Sequence, residues 1–230
     1  MKEGDSREKI IKLLSTKSVS KYEVYDHTME AFKILKEFTR DFSKDMEKDL
    51  KGLKRKVPVV FKEKGDFEME FKVAGDLVLA TMHTNIFEFP RHHAVWQNTY
   101  VKENPMRAYT GIISIYNFLA DSFKYNRLND VGYLIGRIFI NMDGHFIVEG
   151  KQQLGFLFND FSTQVVNKQN LEKIMEVAIQ YSIEFDLLVP PYNQVQTVSV
   201  QEMNNITSSI SLKTGKRLGF NYKASDHHIK

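Results

Sequence analysis

The chain has 230 residues, 42% of them hydrophobic and 27% charged, with 17 Phe, 10 Tyr and no Cys. That composition belongs to a globular protein with aromatic bulk for a large core, and it calls for no disulfides or oxidising compartment. The net charge of +3 is too small to point to nucleic acid by itself, the start is charged from Lys2 onward without an apolar leader, and no apolar run nears the ~20 residues of a membrane span, so a soluble, cytoplasmic protein is expected.

Two helices are predicted at the start. Asp5-Ser6-Arg7-Glu8 and Ser20-Lys21-Tyr22-Glu23 both have capping-box spacing. Ser15, Thr16 and Ser18 between them are poor interior residues and predict a break. The second helix is expected over 21–55. Tyr25, Met29, Phe32, Leu35, Phe38, Phe42, Met46, Leu50 and Leu53 form one apolar stripe along it. The stripe suits a helix lying across a sheet. The alternative is a homodimer through a coiled coil of this helix, although aromatic side chains are wide for a tight two-stranded seam.

Gly52 and Pro58 end the helix, and three strands follow: Val59–Lys64, Phe67–Val73 and Leu77–Met82, with 85–89 as a continuation. Phe67, Met69, Phe71 and Val73 alternate with Glu68, Glu70 and Lys72, the pattern of a strand with one wet face. Glu68 and Glu70 are read as its solvated side, balanced by Lys62, Lys64 and Lys72. Residues 90–104 look irregular. Asn104-Pro105 then resembles an N-cap with Pro at the first helical position. Tyr109, Ile112, Ile113, Tyr116, Leu119, Ala120 and Phe123 recur with helical period, predicting a helix over 105–124 in which Gly111 is the weak point.

Asp143-Gly144 sits between two β-rich runs and predicts a hairpin over 137–150. A two-residue loop would pair Met142 with His145, Ile140 with Ile147 and Ile138 with Glu149 on one face. It would pair Asn141 with Phe146 and Phe139 with Val148 on the other. Both faces are apolar, so both should be covered. Leu154, Phe156 and Phe158 predict a strand at 153–159. A helix follows Asn170, then a short strand of Phe185, Leu187 and Val189. A last helix, with Met203, Ile206 and Ile210, opens at Ser199 and ends at Gly215. Strands grouped in hairpins predict an α+β fold with an antiparallel sheet covered by helices and a long N-terminal helix. The expected division is a helical segment 1–56, a core domain 57–215 and a basic tail 216–230.

No phosphate-binding Gly-x-x-x-x-Gly-Lys-Ser/Thr loop or Gly-x-Ser-x-Gly elbow is present. His92-His93 lie near His83 and Glu88, but no His-x-x-x-His or His-Glu-x-x-His pair exists, so no metal is expected. Asp226-His227-His228 ends a polar tail with no partner carboxylates after it. No cofactor is expected. Aromatic and hydrogen-bonding residues are densest between Phe87 and Arg127. Arg91, His92, Trp96, Tyr100 and Arg107 are therefore the candidate ligand- or partner-binding residues, around the 90–104 loop. The expected function is a non-catalytic module that binds a protein partner or a small ligand. One alternative is nucleic-acid binding by Lys213, Lys216, Arg217 and Lys223, interleaved with Phe220 and Tyr222. Another is an enzyme, hydrolytic or metal-dependent, with a site assembled from distant residues such as Glu88, His92, Asp121 and Arg127.

Overall fold

Ser15 and Thr16 do not break the first helix; they widen it. In the computed structural model, which describes residues 3–204 except Asn129, Leu187, Leu188, Pro190 and Glu202, α1 (Glu3–Leu13) continues through a π turn (Leu14–Ser18) into α2 (Val19–Asp49). The Ser15 and Thr16 hydroxyls both donate to the Lys12 carbonyl, at 3.1 and 2.7 Å. Local back-bonding of this kind is absorbed by one looser turn. Ser20 therefore lies inside a helix and caps nothing. A 3₁₀ turn (Leu50–Gly52) ends α2 earlier than the expected Arg55.

The face that α2 buries is narrower than its aromatic stripe. Val24, Thr28, Ala31, Leu35, Thr39 and Ser43 are buried, at spacings of three and four. These residues are mostly small, so the helix axis comes close to the sheet. Tyr25, Met29, Phe38, Phe42 and Met46 flank that line and pack on the same core. Lys36 is also buried on α2. Its Nζ donates to Gly65 O at 2.6 Å, Asp66 O at 3.0 Å and Glu63 Oε1 at 3.1 Å. It ties the first hairpin turn to the helix, and the Glu63 carboxyl beside it is held below the usual carboxylate range.

The sheet is an antiparallel meander. Its strands are β1 (Val59–Glu63), β2 (Glu68–Val73), β3 (Asp76–Met82), β5 (Tyr109–Leu119), β6 (Tyr133–Ile140) and β7 (Phe146–Gly150), in that order, and a short β4 (Phe87–Glu88) pairs with β5. Three short helical pieces precede β5: a 3₁₀ turn at Ala94–Gln97, α3 (Thr99–Glu103) and a 3₁₀ turn at Pro105–Ala108. α4 (Ala120–Lys124) and α5 (Gln153–Leu157) are single turns, α6 (Lys168–Glu184) is the second long helix, and α7 is Tyr192–Val195.

Three sequence expectations are corrected. The 105–124 helix is instead β5, the longest strand. Asn104 does cap at Pro105, accepting from Met106 N at 3.1 Å, but only for one 3₁₀ turn. The following Tyr-Thr-Gly-Ile-Ile-Ser-Ile-Tyr-Asn-Phe-Leu run is β-branched and aromatic, and between strands β3 and β6 its side chains alternate sides. The 153–159 strand is instead α5 and a loop, with Leu154 and Phe158 turned into the core and Phe156 left exposed. The hairpin is present, but its register differs by one residue. Ile140 pairs with Phe146, Phe139 with Ile147, Ile138 with Val148 and Arg137 with Glu149.

The shift comes from Asn141. Its backbone N donates to His145 O at 2.9 Å, and its Oδ1 accepts from Asp143 N and His145 N, both at 3.0 Å. This closes a longer loop in which Gly144, at φ +72°, takes the left-handed position. The observed register sets apolar residues opposite apolar ones and Arg137 opposite Glu149, as cross-strand pairing favours.

One face of the sheet meets α2 and α6. Phe71, Val78, Ala80, Ile113, Ile115, Ile138, Ile140, Phe146 and Val148 form a core there with Phe32 and Leu35 of α2 and Leu171, Ile174, Met175 and Ala178 of α6. The α6 cap is Asn167, whose side chain accepts from Asn170 N at 2.8 Å, three residues before the expected capping position. Of the predicted C-terminal strand and helix, Leu187, Glu202, Ile206 and Ile210 lie outside the described residues, while Met203 N donates to Ser199 O at 2.9 Å.

Helix and sheet approach closest at Gly111 of β5. A Cβ there would sit 2.1 Å from Thr28 Oγ1 and 2.8 Å from Thr28 Cβ, and the Thr28 hydroxyl is itself bonded to Val24 O at 2.6 Å. Gly111→Ala should therefore cost on the order of 1–3 kcal/mol of unfolding free energy, the usual range for overpacking. Thr28→Ala in the same chain should return part of the loss, because the two sites are in contact. Urea denaturation of the two single variants and the double variant measures this coupling.

Candidate functional site

The second face of the sheet is built in rows across the strands. Ile112, Phe139 and Ile147 form an apolar row at one end. Thr81, Ser114, Arg137 and Glu149 form the next. Lys62, Glu70, Leu79 and Tyr116 follow, and then Val60, Lys72, Leu77 and Phe118. The apolar end needs a cover and has one. The charged end is open.

The cover is the 89–108 segment, which contains the 90–104 loop singled out by sequence. Phe89, Val95, Val101 and Ala108 pack with Phe139, Ile147 and Phe161 into a second small core, against which Trp96, Tyr100 and Ile112 lie. The candidate residues fall into two groups within it. Arg91 lies 4.1 Å over the Trp96 ring and pairs with Glu88 at 2.9 Å, and Trp96 Nε1 donates to Phe89 O at 3.0 Å. Arg107 lies 4.1 Å over the Tyr100 ring and donates to Tyr100 O at 2.8 Å. His92 is exposed and joins neither group.

The hairpin tip completes the second group. Asp143 Oδ2 accepts from both Tyr100 OH and Arg107 Nε, each at 2.7 Å. Asn141 Nδ2 donates to Tyr100 OH at 3.0 Å, and the His145 ring stacks on Tyr100 at 4.7 Å. Burial pushes the Tyr100 hydroxyl well above its ordinary range, and the Asp143 carboxylate pushes the same way. The polar groups of this cover are thus spent on each other and on the sheet. Asn98 and His93 likewise serve as local caps, accepting from Tyr100 N and Val95 N.

The residues proposed for a dispersed catalytic site stand in separate contacts. Glu88 pairs with Arg91 and accepts from Tyr109 OH at 3.0 Å, Arg127 pairs with Asp130 at 3.2 Å, and Asp121 lies on α4. Among the described residues no group of three or more His, Cys, Asp or Glu side chains could hold a metal ion. No described helix is long and apolar enough to cross a membrane. Lys213, Lys216, Arg217 and Lys223 lie outside the described residues.

The open half of the same face holds a groove of about 450 Å³ between β1, β2 and α4. Val60, Leu77, Ala120 and Phe123 give it an apolar end, and Lys62, Lys64, Lys72 and Lys124 line it with Glu70. Glu70 is not on a solvated side. It is buried, 7% exposed, and pairs with Lys64 at 3.3 Å. Lys62 lies directly across from Glu70, and Lys72 is two positions along the same face. Alternation in the sequence carried the lysines of β1 and β2, but their balance against Glu68 and Glu70 concealed the excess. Lys124 and Phe123 are brought in by α4, which the predicted 105–124 helix had hidden.

No protein-family model matches this chain, and neither does any curated protein or solved structure.

Asn141→Ala should cost about 1–3 kcal/mol of stability, since it leaves a buried position without the acceptor for two N–H groups and the donor to Tyr100. Chemical denaturation reads that loss. The raised Tyr100 hydroxyl gives a second expectation with a definite sign. Its contribution to stability is fully present below the ordinary tyrosine value of 10.0 and is lost as pH rises above it, because the unfolded chain then releases a proton that the folded chain keeps. Between pH 8 and pH 11 the unfolding midpoint should fall further for the unmodified protein than for Tyr100→Phe.

Proposed function

We propose that this chain is a non-catalytic module that binds a small organic anion in the groove between α4 and strands β1 and β2. The observation that carries the reading is the convergence of Lys62, Lys64, Lys72 and Lys124 on one groove whose single carboxylate, Glu70, is already paired with Lys64. Like charges gathered on one wall repel, and an anion relieves them. The volume lies in the ordinary range of small-molecule sites, roughly 300–1,000 Å³. Strands hold the lysine backbones rigidly, which lowers the cost of ordering them around a ligand.

The sequence-based reading of a ligand-binding module is kept, and its site moves along the sheet face. Tyr100, Arg107, Trp96 and Arg91 have their polar atoms engaged within the cover.

An anilinonaphthalene sulfonate titration tests the reading. Its fluorescence enhancement should weaken with added salt, and the Lys62→Ala, Lys72→Ala double variant should bind about tenfold more weakly or worse, while Arg91→Ala binds like the unmodified protein. Equal binding by the double variant would overturn the assignment.

A further inference from the structure

We infer that the ligand of this groove is amphipathic: a small free carboxylic acid with one anionic head and an aliphatic or aromatic body. The inference rests on the anion-binding reading and adds to it the shape and charge of the anion. It comes from how the lining is divided. Val60, Lys72 and Leu77 lie side by side in one row across β1, β2 and β3, and α4 sets Ala120 and Phe123 beside that row. The apolar residues are therefore gathered at the α4 end. Lys62 and Glu70 form the next row, and Lys64 lies past it.

The apolar end is built and uncovered. Phe123 is 48% exposed and Val60 is 40% exposed, although Phe123 is held edge-on against Phe118 at 5.2 Å. An aromatic side chain fixed by a neighbour and left half open to a groove offers a body-sized contact surface. The charged end is equally selective. Lys64 is taken by Glu70, and Lys124 lies over the Tyr125 ring at 4.8 Å. Lys62 and Lys72 have no ion-pair partner among the described residues and flank the row boundary where the apolar end stops. Two free ammonium groups suit one carboxylate. A polyanion would bring a further negative charge toward the buried Glu70 carboxylate, which already stands directly across from Lys62.

The experiment uses the full chain and a series of straight-chain carboxylates from acetate to octanoate, with inorganic phosphate as an anion that lacks a body. Binding is measured by calorimetry. Affinity should rise about two- to fourfold per added methylene, following the free energy of burying a CH₂ group. Phe123→Ala should flatten that rise and Phe123→Leu should largely restore it. Lys72→Ala should weaken every member of the series by a common factor. If phosphate binds as tightly as octanoate, or if affinity is independent of chain length while still needing Lys62 and Lys72, the amphipathic ligand is refuted and the anion-binding reading survives. A chain-length dependence indifferent to Lys62 and Lys72 refutes the anion-binding reading, and absence of binding by every member refutes both. Phe123 is largely exposed, so unchanged circular dichroism is expected for its variants. Val60→Thr gives a second, independent reduction of the apolar end.

Discussion

The seating of Thr28 on Gly111 sets the distance between helix α2 and the central strand. At that point only the Thr28 side chain stands between helix and sheet, and the small residues Val24, Ala31, Thr39 and Ser43 keep the helix low on either side. Phe32 is the aromatic residue of α2 that enters the core, while Tyr25, Phe38 and Phe42 lie at its flanks and pack against the rims. With α2 and α6 both on this face, every buried strand residue there is committed to packing. Interior packing of this density leaves no room for a ligand.

The opposite face is divided by its own side chains. Ile112, Phe139 and Ile147 would expose apolar surface without a lid, and the 89–108 segment supplies one. That segment holds its place through the hairpin tip. Asp143 accepts from Tyr100 and Arg107 at once, and the buried Asn141 sets both the turn and its bond to Tyr100. The turn chemistry that fixes the β6–β7 register also fixes the lid. Two and three rows away, Lys62 and Lys72 need no such lid, because a lysine keeps its charged end in water while its stem lies along the sheet, and Glu70 is buried between them.

The legibility of the sequence follows the same division. Strand β2 was readable because one face is apolar and the other charged, so alternation appears directly, and the Gly65-Asp66 and Gly75-Asp76 turns mark β1 and β3 on either side of it. β5 was not. It is central and apolar on both faces, and such a strand loses the alternation that marks an edge. Tyr109, Ile112, Ile113 and Tyr116 then fit a helical template by position, and a true cap at Asn104-Pro105 reinforced the error. The better guide was residue type, since Thr110, Ile112, Ile113 and Ile115 are β-branched and resist a helix. The hairpin was legible to within one residue. Its register turned on the Asn141 side chain standing in for a backbone partner, an effect of bonding geometry that hydrophobic pattern does not encode. In the candidate region, the chemical density seen in sequence corresponds to a lid whose side chains bond largely to one another. Arg91, Trp96, Tyr100 and Arg107 cluster because a lid assembled from short turns needs many side-chain bonds to replace the ladder bonds that it lacks.

Glu70 joins these arguments. A carboxylate in the middle of a sheet, facing lysines on both neighbouring positions, would be unremarkable at a wet edge. Buried at 7% exposure and paired with Lys64, it is held in one place. Its effect is to remove one lysine from the groove and to fix where negative charge already stands. A site meant to gather as much negative charge as possible would have no use for such a residue. On the anion-binding proposal, the head is met by Lys62 and Lys72 on either side of Glu70, and the body lies toward Phe123. The polarity of the groove thus follows from strand register: the pairing that sets Lys62 across from Glu70 also sets Lys72 between Val60 and Leu77.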